Sequence, residues 1–560
     1  MLKEIWSERF KNHDSPEKAI QLKAGLNVVI GITETGNESG NSLGKSTFLH
    51  IIDFILGGES FLKTKSFKNA GEHKIYYMFK FSGKEFRFCR TVRKQSSVYK
   101  CQSDYSYTEA DKYDSLDDYK KFLATQYKID TSELSFRDWI SPFFKIFNKS
   151  PNFKDRPLMN NTTSSEQEEI HTLEKIFNRF LEIKEMVEVT AKRKNLTDVK
   201  KYASKKKIEL KELSLISNPK ETKKEIEALE SNKHQLLENQ NAYIKELDAK
   251  TSIRLAEINA QLSILRRKRN RLNSQISNLK KENTKESSPI AESFELLKQF
   301  FPDVNIKKIE AIESFHSKLS EILKTEYEEK IDELNKQLKP IDETIQELQN
   351  EFYSLSGNND FQMPFLKEYA NLQSKIDDKM AELERYYKNQ RIINEAKEAK
   401  PVLIPKETKI LNDIARKINP VLADFSEKVL GTNYCKIQLR FEDTSKYSVS
   451  VMTDDGTSTT YLAPIAFDLA ILKLSLLPVI AHDSYLFSDT KGKRFDSLMQ
   501  YYDSMNTLVG KQIFISLHQR KTPNEFSNRT NQIIERNKVL VLQENGNELY
   551  GENWSITKSK

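Results

Sequence analysis

Glycine and proline are scarce, 16 and 15 among 560 residues, and the long stretches between them are rich in Glu, Lys, Leu and Asn, a composition of long helices. Hydrophobic residues are also sparse: 38% against 30% charged, so much of the chain is expected to be elongated and solvated rather than packed in one core. Cysteine is nearly absent. Cys89, Cys101 and Cys435 lie far apart without a CxxC pair, which excludes a disulfide framework and a cysteine-built zinc site and fits a reducing cytoplasm. The opening MLKEIWSERFKNHD has no apolar signal core, and the most apolar run, Leu469 to Ala481, is short and holds Lys473. No membrane association is expected, and the chain reads as a soluble cytoplasmic protein. A net charge of +8 favours phosphate backbones only modestly over this length.

Residues 20–58 read as strand, loop and helix. QLKAGLNVVIGI is apolar and β-branched, a polar loop follows, and STFLHIIDFIL has helical spacing. Next, HKIYYMFKF and EFRFCRTV alternate and are joined by Ser82-Gly83-Lys84, a link suited to a hairpin. From about 185 the chain turns helical and charged. Leu255, Ile258, Leu262, Leu265, Leu272, Ile276 and Leu279 recur in steps of three and four, with Arg269 filling one seam position. The pattern repeats at Ile331, Leu334, Leu338, Ile341, Ile345, Leu348, Phe352 and Leu355. Between these arms SSPIAESFELLKQFFPDVNIKKI breaks the heptads and can act as a turning point, so the arms are expected to pair antiparallel. Breaks at Ser217-Asn218-Pro219 and Ser356-Gly357-Asn358-Asn359 suit a joint, and Pro340 should kink its arm or start a new helix. Strand character is expected to return after about residue 401, in KIQLRFED and YSVSVMTDD, with an apolar helix and two more strands behind.

The expected fold is α/β, with N- and C-terminal lobes joined by a long intramolecular antiparallel α-helical coiled coil. Its divisions are residues 1–180, a lobe with the phosphate loop; 181–284, the first arm; 285–306, the apex turn; 307–400, the second arm; and 401–560, the second lobe.

The central motif is Gly40-Asn41-Ser42-Leu43-Gly44-Lys45-Ser46-Thr47 between strand and helix. In a Walker A loop, backbone N–H groups and the helix N-terminus cradle phosphate, the lysine meets the β and γ oxygens and the first hydroxyl ligates Mg2+. Lys45 and Ser46 take those roles for ATP, with glycine displaced from Ser39 to Gly40. At the other end LSLLPVIAHD closes on Asp483, a Walker B position holding Mg2+, and QIFISLH sets His518 after another strand, 35 residues on. Each alone reads as a turn residue or a structural histidine; their order and spacing favour function. Ser484 follows Asp483 where a water-polarising glutamate is usual, so hydrolysis is expected to be slow or to rely on Asp489 or His518. No LSGGQ-like run occurs; the signature-loop candidate is DDGTSTTYLAPIAFDLAIL, with Gly456 and Ser458 ahead of a helix, and a plain polar turn is the alternative.

GNSLGKSTFLHIIDFILGG, including Asp53, resembles the N-terminal motif of the structural-maintenance-of-chromosomes (SMC) proteins and related repair ATPases. LSFRDWISPFF, SFHSKL, APIAFDLAIL and HDSYLF resemble a bacterial branch, the SMC-like ATPase component of ABC three-component systems, and this likeness spans essentially the whole chain. It implies a split ABC-type ATPase head formed where the chain ends meet. It further implies homodimerisation of ATP-bound heads, Walker A of one facing the signature loop of the other, and a role with separately encoded effector proteins in defence against phage or plasmid DNA. No Q-loop glutamine stands out after Phe136-Arg137.

Basic clusters at Lys192-Arg193-Lys194, Lys205-Lys206-Lys207 and Arg266-Arg267-Lys268-Arg269 suit double-stranded DNA, though a solvated face paired with Glu explains them equally simply. No nuclease constellation appears. The alternatives are a DNA-repair or chromosome-maintenance ATPase, weakened by the missing CxxC apex hook, short arms and absent glutamate, and a coiled-coil scaffold with little or no hydrolysis, opposed by intact Gly44-Lys45-Ser46.

Overall fold

The computed structural model describes residues 1–33, 43–93, 96–149, 156–160, 164–206, 218–241, 249–283, 330–352, 354–355, 363–432, 436–451, 457–490, 492–520 and 526–552. The apex turn, the Ser356–Asn359 break and Gly40, Asn41 and Ser42 lie outside them. Two compact units emerge: residues 1–190 with 396–560, and residues 191–395. Among the described residues no helix is long and apolar enough to cross a membrane.

Among the described residues, the first unit holds two five-stranded sheets and a hairpin. One sheet is antiparallel, in the order β2 (Ile20–Gln21), β1 (Leu2–Trp6), β4 (His73–Phe81), β5 (Lys84–Val92), β6 (Val98–Cys101). Its β4–β5 turn is Ser82-Gly83 alone, Lys84 already pairing with Phe81. The other sheet is parallel, in the order β12 (Lys538–Gln543), β3 (Gly25–Thr33), β11 (Gln512–Arg520), β10 (Val479–His482), β7 (Phe144–Lys145). Parallel strands are covered on both faces and read as continuous apolar runs, as GLNVVIGIT and QIFISLHQR do. β8 (Ile437–Asp443) and β9 (Lys446–Val451) form the hairpin.

Strands return in the segments KIQLRFED and YSVSVMTDD, at Ile437–Asp443 and Lys446–Val451, and a long helix precedes them. That helix, Met363–Val429, continues through Pro401, Pro405 and Pro420. Pro405 stands four residues after Pro401, so the amide it lacks is one that would have bonded the Pro401 carbonyl. Packing outweighs that loss: Leu403, Ile410, Leu411, Ile414, Ile418, Leu422, Phe425 and Val429 are all buried at helical spacing. Residues 330–352 likewise run as one helix through Pro340.

In the second unit, Ile258, Leu262, Leu272 and Ile276 from the helix Ala249–Asn283 pack with Ile331, Leu334, Ile341 and Ile345. Arg254 pairs with Glu351 at 2.6 Å and Arg269 with Asp342 at 2.9 Å. The partner number falls as the other rises, so these segments run in opposite senses. Arg269 thus spends its seam position on an ion pair.

A polar chain, fully buried from Asp468 through His482 to Tyr502 with the Lys145 side chain 12% exposed at its end, joins the parallel sheet to the helix Thr457–Leu474. Lys145 Nζ donates to both Asp468 oxygens at 2.6 and 2.7 Å, Asp468 meets His482 Nε2 at 3.0 Å, and His482 Nδ1 meets the Tyr502 hydroxyl at 2.6 Å. Removing one partner of a buried pair strands the other's charge at a cost of about 3–5 kcal/mol. Asp468→Ala is therefore expected to lower unfolding free energy by that order in urea titrations, while Glu333→Ala, which breaks an exposed pair with Lys330, leaves the midpoint unchanged. Equal effects of the two would contradict this.

Candidate functional site

The helix Lys45–Ile55 begins where β3 leaves the sheet. Gly44 caps it with φ of 101°, a left-handed conformation that glycine adopts without strain, and a Cβ there would lie 2.7 Å from that of Leu549. Leu43 is tied to the same residue, its carbonyl accepting the Leu549 N–H at 3.0 Å. The far end of the helix is anchored by charge. Arg137 Nη2 lies 2.6 Å and Lys149 Nζ 3.2 Å from the buried Asp53, which also accepts from Ser60 at 2.8 Å. Burial pushes the Asp53 carboxyl up, but Arg137 and Lys149 outweigh it and hold the group well below the usual carboxylate range. Arg90 and Arg137 donate to the Phe54, Gly58 and Leu56 carbonyls, placing cations at the negative end of the helix dipole.

Lys45 is buried, 6% exposed, and lies against β3 at Gly31, where a Cβ would come within 2.7 Å of its Cδ and 3.0 Å of its Nζ. Burial pushes its ammonium down to about 8 although the Asp483 charge raises it. Asp483, wholly buried at the end of β10, accepts from Ser516 Oγ at 2.5 Å, Ser484 N at 2.8 Å and Phe147 N at 3.1 Å. His518 pairs across the sheet with Gly31, and its Nε2 lies 3.4 Å from Thr33 Oγ1. Three neighbouring parallel strands thus bring Lys45, Asp483 and His518 to one end of the sheet, at the carboxyl ends of the strands where α/β sheets bind ligands.

Other anticipated residues sit elsewhere or lack description. Ser46 is half-buried in the first helical turn and Thr47 bonds Ser66 at 2.8 Å. Asp489 is exposed in the turn after Ser484–Phe487, and among the described residues no contact joins it to Lys45 or Asp483. The backbone of Ser458 lies in the first turn of the helix Thr457–Leu474. Ser516, Thr33 and Gly31 were not anticipated. The signal for Ser516 is alternation: it sits two residues before His518 and so shares its face of β11.

The donor set fits phosphate with Mg2+. A desolvated ammonium, a helix N-terminus and a buried carboxylate converge, and the glycine at position 31 leaves room for the lysine stem. Between pH 8 and 10.5 the folded chain holds fewer protons on Lys45 than the unfolded chain, so stability rises with pH across that window. The penalty, about 3 kcal/mol at 1.36 kcal/mol per pKa unit, is complete below pH 8 and relieved above 10.5. Urea unfolding at pH 7, 8, 9 and 10 should show the wild type gaining stability relative to Lys45→Met as pH climbs; a flat difference would mean an ordinary lysine.

Comparison with known proteins gives limited relatives. Residues 425–553 match a family described as an uncharacterised protein conserved in bacteria (DUF2326). No curated protein matches the chain. Among solved structures, an Smc head domain with a coiled coil and joint derived from Pyrococcus yayanosii is 14% identical, covering 96% of this chain and 99% of that one at a TM-score of 0.33. An Smc head domain with an extended coiled coil, bound to the C-terminal domain of ScpA and derived from Pyrococcus furiosus, is 11% identical, covering 96% and 91% at a TM-score of 0.35. Similarity at that level is too low to fix a common fold, so function rests on the site itself.

Proposed function

We propose that this chain is an SMC-like ATPase whose split ABC-type head, residues 1–180 with 401–560, carries an intramolecular antiparallel coiled coil, arms 181–284 and 307–400 with an apex turn at 285–306. The observation that carries the reading is geometric: Lys45, buried against Gly31 of β3, opens a helix behind the left-handed Gly44 at the sheet end where Asp483 and His518 also lie. That strand-loop-helix setting selects nucleotide phosphate.

In this reading Gly40, Asn41, Ser42, Leu43 and Gly44 wrap the phosphates of ATP, and Lys45 meets its β and γ oxygens. Ser46 and Asp483 hold Mg2+, which when bound neutralises phosphate charge, and Thr47 steadies the loop through Ser66. Asp483 is itself oriented by Ser516, Ser484 N and Phe147 N. His518, beside Thr33, senses the γ-phosphate. With Ser484 where a glutamate is usual, no carboxylate adjacent to Asp483 takes a proton from water, and turnover is slow, with His518 or Asp489 as the remaining bases. ATP is bound between two copies, Ser458 of one facing the Lys45 loop of the other. We further propose, from the resemblance described above, that the cytoplasmic dimer acts as an ATP-gated sensor or clamp on double-stranded DNA that regulates a separately encoded effector in bacterial defence.

Wild type and Lys45→Ala are to be compared for ATP hydrolysis with and without linear and circular double-stranded DNA, and for ATP-dependent dimerisation by light scattering. Slow hydrolysis that DNA stimulates, with dimerisation, is expected in the wild type and neither in the variant. Absence of both ATP binding and dimerisation in the wild type would return the chain to the scaffold reading; hydrolysis indifferent to DNA would remove the sensor.

A further inference from the structure

The apolar stripe that keeps the helix Met363–Val429 seated carries one charged residue. Glu407 is 2% exposed, flanked along the stripe by buried Leu403, Ile410 and Leu411. Across from it, the helix Glu166–Ile176 presents Glu174, 0% exposed, between buried Leu173 and Ile176. His171 lies three residues before Glu174 and so on the same helix face. Ligand atoms of His171, Glu174 and Glu407 lie within 4.8 Å of one another. His171 Nε2 and Glu407 Oε1 are 3.4 Å apart without hydrogen-bond geometry.

Neither Glu174 oxygen has a hydrogen-bond partner, nor has Glu407 Oε1 or His171 Nε2. Buried carboxylates are normally paired or bound to a cation. The available cation does not fill this need: Lys175 reaches over the Phe180 ring, 4.7 Å from its centroid, and leaves Glu174 unbonded. Burial first and then the Glu407 charge push the Glu174 carboxyl up to about 8, against a smaller opposing pull from Lys175.

We propose that His171, Glu174 and Glu407 bind one divalent transition-metal ion of the zinc class, separate from the nucleotide site. One imidazole and two carboxylates suit Zn2+, Co2+ or Mn2+ better than Mg2+, which prefers all-oxygen sites. Ligand atoms at about 2.0–2.2 Å from a shared ion lie at most about 4.4 Å apart, so small rotations of these side chains close the set, and water completes it. His171, 14% exposed, gives the ion access from solvent. Such an ion cross-links the helix Glu166–Ile176 to the helix Met363–Val429 at Glu407.

The test uses the full chain stripped with EDTA and titrated with Zn2+, Co2+ or Mg2+ alone, without nucleotide. One Zn2+ per chain by elemental analysis, a visible Co2+ absorption band and a melting temperature raised several degrees by Zn2+ but not Mg2+ are expected. Glu407→Gln and His171→Ala, their folding checked by circular dichroism, should each lose the uptake and the shift, while Asp483→Asn keeps both. No stoichiometric uptake by the wild type overturns the site, as does uptake that survives both substitutions. Stabilisation by Glu174→Gln in a protein that takes up no metal would instead identify two carboxyls sharing a proton, and equally ends the proposal.

Discussion

The pairing of β3 with β11 along all nine residues of each strand is the constraint on which the rest of the first unit depends. β12 flanks β3 on its other side, so a strand from the start of the chain is enclosed by two from its end. Register then does the assembly. Because Gly31 stands opposite His518 and β10 continues the same sheet, the carboxyl ends of β3, β11 and β10 arrive together. A one-residue slip would turn every side chain of β11 to the opposite face and separate Ser516 and His518 from Asp483 and Thr33.

The surroundings hold this arrangement by charge as much as by apolar packing. The helix Lys45–Ile55 is set between Leu549 at its start and the Asp53–Arg137–Lys149 group near its end. The Lys145–Asp468–His482–Tyr502 chain fixes the strand that presents Asp483, and Lys145 adds its carbonyl to the Asp483 N–H. Each group is paired where pairing orients the site. Lys45 sits within the same set, buried against Gly31 of β3 with the Asp483 charge raising an ammonium that burial pushes down.

Much of this was readable in the residues. The β-branched run before Gly44-Lys45-Ser46 and the apolar runs before Asp483 and His518 are strands because both faces of a parallel sheet are covered, and three-four spacing found the seam residues that pack together. A proline misleads: Pro340 reads as a kink in its arm or the start of a new helix, but residues 330–352 run as one helix through it, with Ile331, Leu334, Ile341 and Ile345 buried along the seam. Polar partners separated by hundreds of residues, such as Lys145 with Asp468 or Glu174 with Glu407, leave no local pattern, since their meeting depends on how whole helices pack.

The enclosure of β3 also sets a timetable. During synthesis the apolar strand Gly25–Thr33 emerges long before either neighbour, since β11 begins only at Gln512 and β12 at Lys538. At about 5–20 residues per second that interval is on the order of a minute, during which the strand's backbone donors lack their native partner strands. A chain truncated before residue 512 would therefore lack both strands that flank β3 and leave its edges unpartnered.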